Sequence, residues 1–235
     1  MAGETTVTDA ICLRITPWSR TSHIVTWLTP SGKVTTVVKG AVRPKSAFLG
    51  QYDLNYTCEI VHYLRGTGDL RPLREATPLK RRDALRDDYR RLALAGRFRE
   101  IAEELVPQGP DAADWFELTD EALDRLADPS EASVPLLAEL LDFELKALRL
   151  AGLSPEIEAD QGAFALRGER EMPISPAVAR AIRNPRGERN PEILLDTARV
   201  IGVFYSFHLD SSLETRRTVL KLISTNEEGT GKQDG

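Results

Sequence analysis

The sequence predicts an α+β protein, an N-terminal five-stranded OB-like β-barrel followed by an all-α helical domain. Apolar residues alternate with a period of two in short runs over the first 80 residues, and with a helical period of about 3.6 from Lys80 onward. The net charge changes sign near the same point. Residues 1–82 contain 12 Lys and Arg against 6 Asp and Glu, a net charge of +6, whereas residues 83–235 contain 19 against 30, a net charge of −11.

Five runs rich in Thr, Val, Ile and Tyr are predicted as strands, because Gly and Pro separate them. The runs are TDAICLRITPW, SHIVTWLT, KVTTVVKG, YDLNYTCEIVHYLR and LRPLREATPL. The second and third runs are joined by the turn PSGK, and the fourth and fifth by GTGD. Five short strands in the first 80 residues leave no room for a second sheet of similar size, which favours a small barrel.

The rest of the chain is predicted as helices. The segments are DALRDDYRRLALAGRFREIAEELV, DAADWFELTDEALDRLAD, SVPLLAELLDFELKALRLAGL, SPAVARAIRN, NPEILLDTARVIGVFYSFHL and SLETRRTVLKLI. Gly152 is expected to end the third helix as a C-cap glycine. The predicted domains are residues 1–80 for the barrel and 81–224 for the helices. Residues 225–235 have too few apolar side chains to fold alone and are predicted as a flexible tail.

The chain carries no signal that points to a membrane or to catalysis. It contains no run of about 20 apolar residues, and its first ten residues are too polar for a signal peptide, so we expect a cytoplasmic location. Cys12 and Cys58 lie within apolar runs and are expected to be buried. Since His23, His62 and His208 lie in separate elements with no recognisable spacing to a nucleophile, no catalytic residue and no cofactor is predicted.

A basic loop in an otherwise acidic chain is the main candidate site. The loop VVKGAVRPKSAF contains three cations and no acidic residue. Its long cationic side chains and one hydroxyl are predicted to contact phosphate oxygens. The residues are Lys39, Arg43, Lys45 and Ser46. Further cations that could extend the same face are Arg14, Arg20, Lys33, Arg65, Arg71 and Arg74. The alternative is a solvated turn that keeps an edge strand from pairing.

Three aromatic residues of the barrel are candidates for stacking on bases, as in proteins that bind single strands without sequence preference. They are Trp18, Trp27 and Tyr52. Strand alternation also allows Trp27 to point into the core. Trp18 follows Pro17 in a predicted loop and is the better exposed candidate.

Two arginine clusters on apolar helices are candidates for binding a partner protein. One contains Arg97, Phe98 and Arg99, and the other contains Arg216 and Arg217. An apolar pocket edged by arginines suits an acidic peptide with an aromatic end. The alternative for each cluster is a helix core with solvated flanks.

The chain resembles the bacterial RecO family over nearly its whole length. The resemblance rests on IVTWLTPSGKVTTVVKGAVRPKSAFLG, YLRGTGDLRPLREA and YSFHLDSSLETRR. It implies a nucleoid-associated protein of homologous recombination and gap repair that binds single- and double-stranded DNA and anneals complementary strands without hydrolysing nucleotides. The partners that it implies are RecR and the acidic C-terminal tail of single-strand DNA-binding protein, with loading of RecA as the outcome.

One feature of the family is absent from this sequence. Many members carry a four-cysteine zinc knuckle after the GLSP segment, whereas GLSPEIEADQGAFALRGEREMPISP contains neither cysteine nor histidine. Zinc sites are built mainly from thiolate and imidazole ligands. We therefore predict no metal site, and a reduced hairpin near residues 155–175 in its place.

Other functions stay open at this point. The same barrel and helices could form an RNA-binding factor or a protein-interaction scaffold. A nuclease would need acidic ligands that converge on a metal ion. The acidic runs RDDYRR and EIAEEL have a helical spacing that spreads their charge along a solvated face instead.

Overall fold

The computed structural model describes residues 4–64, 70–107, 111–160, 163–167, 172–208 and 213–224. By packing, the chain divides into two compact units. Residues 1–84 and 102–127 form the barrel unit, and residues 85–101 and 128–235 form the helical unit. The predicted GTGD turn and the predicted tail after residue 224 lie outside the described residues.

Five strands form the barrel, and they close in the order β1-β2-β3-β5-β4. They are β1 (Thr5–Ser19), β2 (Ser22–Thr29), β3 (Gly32–Val38), β4 (Thr57–Tyr63) and β5 (Leu70–Lys80). All neighbours are antiparallel except β3 and β5, which pair in parallel. The predicted OB-like barrel is thereby confirmed. The fourth strand begins at Thr57 and not at Tyr52, because the chain turns at Asn55, whose φ is +69°.

Strand β1 is long enough to pair with two neighbours. Its first half pairs with β4 over Thr5–Ile11, and its second half pairs with β2 over Ile11–Ser19. The pairing with β2 shifts register between Cys12 and Arg14 and again around Trp18. Such shifts bend a strand and redirect side chains. The second one leaves Trp18 without a cross-strand partner just before the turn to β2.

Apolar side chains from all five strands and from the β3–β4 loop fill the barrel. Trp27 is fully buried, and its indole N–H donates to Thr36 Oγ1 at 2.9 Å. It is therefore a core residue and not a stacking platform. Cys12 and Cys58 are buried free thiols, as predicted, and burial raises the pKa of Cys58 to about 12.

The helices occupy the segments that the sequence predicts. They are α1 (Tyr89–Leu105), α2 (Ala113–Ala127), α3 (Leu136–Leu150), α4 (Pro176–Arg183), α5 (Pro191–His208) and α6 (Leu213–Ser224). Helix α3 ends at a glycine as predicted. Gly152 has a φ of +73°, and the N–H of Leu153 donates to the carbonyl of Leu148 at 2.8 Å, which is a Schellman motif.

Helix α2 is joined to the barrel by one buried arginine. Arg82 donates from Nε to Asp124 Oδ1 at 2.7 Å and from Nη2 to Asp120 Oδ1 at 2.6 Å. Its Nη1 donates to the carbonyl of Asn55 at 2.7 Å and to the hydroxyl of Thr57 at 2.9 Å. One guanidinium thus connects the start of β4 to two turns of α2. This set of contacts is called the Arg82 anchor below.

A second cation completes the Arg82 anchor. Lys80 Nζ donates to both Asp120 and Asp124. Burial alone raises the pKa of a carboxyl group, but hydrogen bonds from Lys80, Thr57 and Arg82 outweigh it at Asp120. The pKa of Asp120 therefore lies below its usual range, and the carboxylate is charged at neutral pH.

The helical unit is built around α3, which is buried along most of its length. Phe143 of α3 stacks on Phe98 of α1 with ring centroids 4.1 Å apart. A small antiparallel sheet lies where the reduced hairpin is predicted, in the order β6 (Glu156–Asp160), β7 (Ala163–Arg167) and β8 (Met172–Ile174).

The described part of the chain holds no group of three or more His, Cys, Asp or Glu side chains placed to bind a metal ion. In the same residues, every helix is too short or too polar to cross a membrane.

The Arg82 anchor predicts that Asp120→Asn lowers the free energy of unfolding by about 2–3 kcal/mol, because the buried guanidinium of Arg82 loses one of its two carboxylate partners. Denaturant unfolding at neutral pH measures the effect. The matched control is Glu121→Gln on the same helix, whose exposed carboxylate lies 3.7 Å from Arg125 Nη1. An exposed pair of this kind contributes about 0.5 kcal/mol or less. Equally small losses in both variants would contradict the anchoring role.

The difference in the free energy of unfolding between the wild type and Asp120→Asn is expected to depend on pH. The pKa of Asp120 is lower in the folded state than in the unfolded state, where it is about 3.9. The contribution of the Asp120 carboxylate to the free energy of unfolding is therefore complete above the unfolded-state pKa and disappears as the pH falls through the folded-state pKa. The difference between the wild type and Asp120→Asn is therefore expected to stay constant above about pH 5 and to shrink below about pH 4.

Candidate nucleic-acid interface

The loop between β3 and β4 packs one side against the barrel core and leaves its cations in solvent. Ala41, Phe48 and Tyr52 contact the core. The hydroxyl of Ser46 accepts a hydrogen bond from the N–H of Phe48 at 3.2 Å, so Ser46 shapes the loop. The exposed cations are Lys39, Arg43 and Lys45. Because apolar contacts fix the loop, these cations are held at defined places on the barrel surface.

Hydrogen bonds join the start of this loop to the turn between β1 and β2. The N–H of Gly40 donates to Ser22 Oγ at 3.3 Å, and the N–H of Val42 donates to the carbonyl of Thr21 at 3.3 Å. Gly40 has a φ of +69°, which favours glycine. A Cβ atom at Gly40 would lie 3.3 Å from Cδ of Arg43. The Arg43 side chain therefore lies against the loop backbone.

A cleft of about 430 Å³ lies between this turn and the loop. It is lined by Trp18, Ser19, Ser22, Val37, Lys39, Gly40 and Arg43. Trp18 is 62% exposed. An open aromatic face, hydroxyl groups and two cations are thus brought together. Aromatic faces contact bases, and cations contact phosphates, so the cleft offers both kinds of contact to a nucleic-acid strand. This region is called the Trp18 cleft below.

The cations at the Trp18 cleft are not neutralised by the protein. Among the described residues, Lys39, Arg43 and Lys45 form no ion pair. The same holds for Arg20, which is exposed in the adjoining turn. Cations without a carboxylate partner keep their full charge for an anionic ligand.

Two cations predicted for this face contact helix α1 instead. Arg14 Nη2 lies 3.0 Å from Glu103 Oε1, and Lys33 Nζ donates to the carbonyl of Glu103 at 2.7 Å. Burial lowers the pKa of Lys33, while Glu103 opposes the change. Cations near the last turn of a helix satisfy its free carbonyls. Lys33 thus contacts the end of helix α1, and Arg14 is partly neutralised, while the phosphate contacts of both residues stay predictions.

The remaining predicted cations are spread over other places. Arg74 is exposed on β5 and pairs with Glu75 at 3.1 Å. Arg71 is half-buried on β5, in register with Thr36 of β3. Arg65 lies outside the described residues. Only part of the predicted basic face is thus gathered at the Trp18 cleft.

Tyr52 is a core residue and not a stacking platform. Its hydroxyl forms a hydrogen bond with Nδ1 of His23 at 2.8 Å, and its ring meets the edge of Trp27. Burial raises the pKa of the Tyr52 hydroxyl. Of the three candidate aromatics, the structure therefore leaves Trp18 available for stacking.

The helical unit contains a second cavity, of about 580 Å³, between α5 and α6. Leu195, Val203 and Leu220 give it apolar walls. The cationic residues at this cavity include Arg199, Arg217 and Lys221. The cavity is called the α5–α6 groove below. It contains Arg217 of the predicted partner cluster, which is exposed.

Arg216, the other member of that cluster, is 4% exposed and holds the groove together. Its Nε and Nη2 donate to the two carboxylate oxygens of Glu144 at 2.8 and 2.9 Å, and Nη2 also donates to the carbonyl of Ala198 at 3.0 Å. Its Nη1 lies over Gly202, where a Cβ atom would be only 2.7 Å away. The close approach of α6 to α5 thus depends on a glycine in the middle of α5.

The predicted partner site around Arg97 is corrected by the structure. Arg97 is fully buried, with Nη2 3.7 Å from Glu144 Oε1, and Phe98 is stacked inside the core. Neither side chain reaches the surface, and Arg99 is half-buried. Helical periodicity does not separate an arginine at the rim of an apolar stripe from one that pairs with a buried carboxylate on another helix.

Several residues of both sites were missed at the sequence level. Ser19, Ser22 and Val37 line the Trp18 cleft but have no distinctive sequence signal. Gly202 had such a sequence signal, because a glycine inside an apolar helical pattern lowers the stability of the helix by about 1 kcal/mol and suggests close packing. Glu144 also had one, because it is an acidic residue in the most apolar helix.

Comparisons with known proteins agree with the fold. The family models described as Recombination protein O N terminal and Recombination protein O C terminal match residues 1–82 and 86–162. Curated relatives named DNA repair protein RecO include that of Anaeromyxobacter sp. (strain K), with 34% identity over 63% of this chain and 58% of the relative. Another, from Moorella thermoacetica, has 24% identity over 95% of this chain and 94% of the relative.

The match to the Anaeromyxobacter relative covers less than two thirds of that protein. Among solved structures, an Entamoeba histolytica asparaginyl-tRNA synthetase aligns with 89% of this chain and 57% of that chain, at 11% identity and a TM-score of 0.31. This likeness is too weak to support any argument about fold or function.

The groove geometry predicts opposite effects for two helix glycines. Gly202→Ala gains about 1 kcal/mol of helix propensity but requires Nη1 of Arg216 to move, which disturbs the hydrogen bonds of Nε and Nη2 to Glu144, so the free energy of unfolding is expected to fall by about 2 kcal/mol. Gly96→Ala in α1 is the control, because its Cβ atom would meet Arg99 Nη2 at an ordinary 3.6 Å. It is expected to stabilise by up to about 1 kcal/mol. Denaturant unfolding measures both, and stabilisation by Gly202→Ala would show that Arg216 has room to move.

Proposed function

Because the chain belongs to the RecO family of DNA repair proteins, we propose that it is a non-catalytic recombination mediator whose barrel binds DNA at the Trp18 cleft. The observation that carries the proposal is an exposed tryptophan beside cations that the protein leaves unneutralised. In this proposal the protein binds single- and double-stranded DNA, anneals complementary strands and assists loading of RecA together with RecR.

The chemistry of the cleft supports binding to the nucleic-acid backbone. Lys39 and Arg43 line the cleft and Lys45 follows on the same loop, so three charges lie within seven residues of chain. Cations that replace condensed counterions on phosphates gain affinity from the release of those ions. Phosphate contacts fix the position of a strand without reading its sequence. Such a surface suits a mediator that acts on DNA of any sequence.

Strand annealing follows from the same arrangement. A strand held through its phosphates keeps the hydrogen-bonding edges of its bases free to pair with a complementary strand. Cations also reduce the repulsion between two approaching backbones. The barrel therefore needs no catalytic group for this activity.

In the helical unit, the α5–α6 groove is proposed to dock the acidic C-terminal tail of single-strand DNA-binding protein. Apolar walls suit an aromatic end residue, and the cations at the groove suit neighbouring carboxylates. Arg216 is not one of the docking cations, because two of its three nitrogens are committed to Glu144 and Ala198. Its part is to keep α6 in place as one side of the groove.

The DNA proposal predicts a change in salt dependence. For single strands, log K falls with log[salt] by about 0.7 per phosphate neutralised. The triple variant Lys39→Ala, Arg43→Ala, Lys45→Ala is therefore expected to flatten the slope by about two units, since three phosphate contacts are lost. Fluorescence anisotropy with a labelled oligonucleotide over a range of salt concentrations measures the slope.

The matched control is the double variant Arg14→Ala, Arg74→Ala, which removes exposed cations that already pair with Glu103 and Glu75. Its slope is expected to stay close to the wild-type value. Unchanged slope and annealing rate in the triple variant, with an unchanged melting temperature, would place the DNA surface elsewhere on the barrel.

The groove proposal predicts weaker binding of an acidic peptide after loss of the exposed cations. In the full-length chain, Arg217→Ala combined with Lys221→Ala is expected to raise the Kd of a short Asp-rich peptide ending in Phe by about tenfold, because two charge-assisted contacts are lost. Anisotropy of the labelled peptide at low salt measures the Kd. Arg180→Ala, an exposed cation of α4, serves as the control. Equal losses of peptide affinity in the double variant and in Arg180→Ala would indicate a general charge effect and no docking in the groove.

A further inference from the structure

We propose that Trp18, supported by Val42, contacts unstacked bases and makes the Trp18 cleft select single-stranded over duplex DNA. The inference rests on the proposed DNA binding of the barrel. It goes beyond that proposal by separating the side chains that select the form of DNA from the cations that bind any backbone.

Trp18 differs from the other two tryptophans of the chain. Trp27 and Trp115 are buried, whereas Trp18 leaves 62% of its surface exposed. The register shift of β1 takes Trp18 out of the cross-strand pairing, and such shifts redirect a side chain away from the regular face of a sheet. Tryptophan is enriched at binding interfaces, so a large aromatic ring held in solvent at the edge of a cationic cleft is suited to contact a ligand.

Val42 adds a second apolar contact beside the cleft. It is 47% exposed, and its N–H donates to the carbonyl of Thr21 in the turn that follows Trp18. Gly40 and Ser22 form the neighbouring hydrogen bond between the same two segments. Trp18, at the end of β1, and Val42 thus lie beside a turn and a loop that are hydrogen-bonded to each other, which restrains their spacing before a ligand binds.

The charges next to Trp18 point to a nucleic acid as the occupant. Lys39 and Arg43 line the same cleft, and neither has an ion-pair partner in the described residues. A ligand that fills the cleft therefore brings negative charge together with a flat apolar group. A nucleotide of a DNA strand has both, and a cavity of about 430 Å³ falls within the usual range of about 300–1,000 Å³ for small-ligand sites.

Selection follows from what each form of DNA exposes. Phosphates are available in single strands and in duplexes, so Lys39 and Arg43 contribute to the binding of both. The faces of the bases are covered by stacking in a duplex but open in a single strand. Stacking on Trp18 is therefore available to the single strand alone.

The test compares four variants of the whole chain on two ligands, oligothymidylate and a duplex of mixed sequence. Trp18→Ala is expected to raise the Kd for oligothymidylate by about tenfold or more. Its Kd for the duplex and the salt slope on either ligand are expected to stay unchanged, because no charge is lost. Lys39→Ala is expected to weaken the binding of both ligands and to flatten the salt dependence of log K for both. Trp18→Phe is expected to keep most of the wild-type affinity for oligothymidylate. Val42→Ser is expected to lose some of this affinity, but less than Trp18→Ala loses.

A spectroscopic measurement separates stacking from a loss of structure. Oligothymidylate is expected to quench the tryptophan fluorescence of the wild type, and this quenching is expected to disappear in Trp18→Phe, since the other tryptophans are buried. An equal loss of affinity for both ligands in Trp18→Ala, or quenching that persists without Trp18, would overturn the inference while leaving the proposed DNA binding intact. Failure of the wild type to bind either ligand would overturn both.

Discussion

The long first strand is the constraint on which the barrel unit depends. A five-stranded barrel closes here because β1 pairs with β4 through its first half and with β2 through its second. Each strand of a closed barrel pairs with two neighbours, and β1 meets its two over different halves of its length, with a register shift between Cys12 and Arg14 that bends the strand. A second shift lies near the end of the strand, where Trp18 has no cross-strand partner and is 62% exposed. The end of the strand that closes the barrel therefore also carries the exposed aromatic side chain of the candidate site.

Each unit also depends on a buried arginine that joins segments far apart in sequence. Arg82 connects the barrel to α2, and Arg216 connects α6 to α3 and α5. Removing a guanidinium from water costs several kcal/mol, so the contact is favourable only when nearly all donors find acceptors. Arg82 meets this condition with carboxylates, a hydroxyl and backbone carbonyls, and Arg216 places Nε and Nη2 on Glu144 and Ala198. In the helical unit this arginine also lies close to Gly202, where a Cβ atom would stand 2.7 Å from Nη1.

Because several cations form contacts within the protein, the charge pattern of the sequence assigned more cations to ligand binding than the structure leaves available. Lys33, Arg97 and Arg216 were assigned to ligands, but each makes its main contact within the protein. An arginine in a sequence has the same appearance whether it binds a phosphate or a buried carboxylate. The functional signal is the set of cations that remains after internal pairing. At the barrel surface that set includes the cations of the β3–β4 loop, beside Trp18.

The sequence by itself determined the local structure. Periods of two and 3.6 located the five strands and six helices, and Gly152 marked the end of α3, because these signals depend on neighbouring residues. The basic loop was also identified from local pattern, and Trp18 was the aromatic residue favoured for exposure, although it lies at the end of β1 and not in a loop. Only the tertiary structure decided the parallel closure of β3 on β5, the packing of α2 with the barrel, and which cations stay unpaired. These depend on pairs such as Lys33 with Glu103 and Arg216 with Glu144, which are 70 and 72 residues apart, beyond the reach of any local pattern.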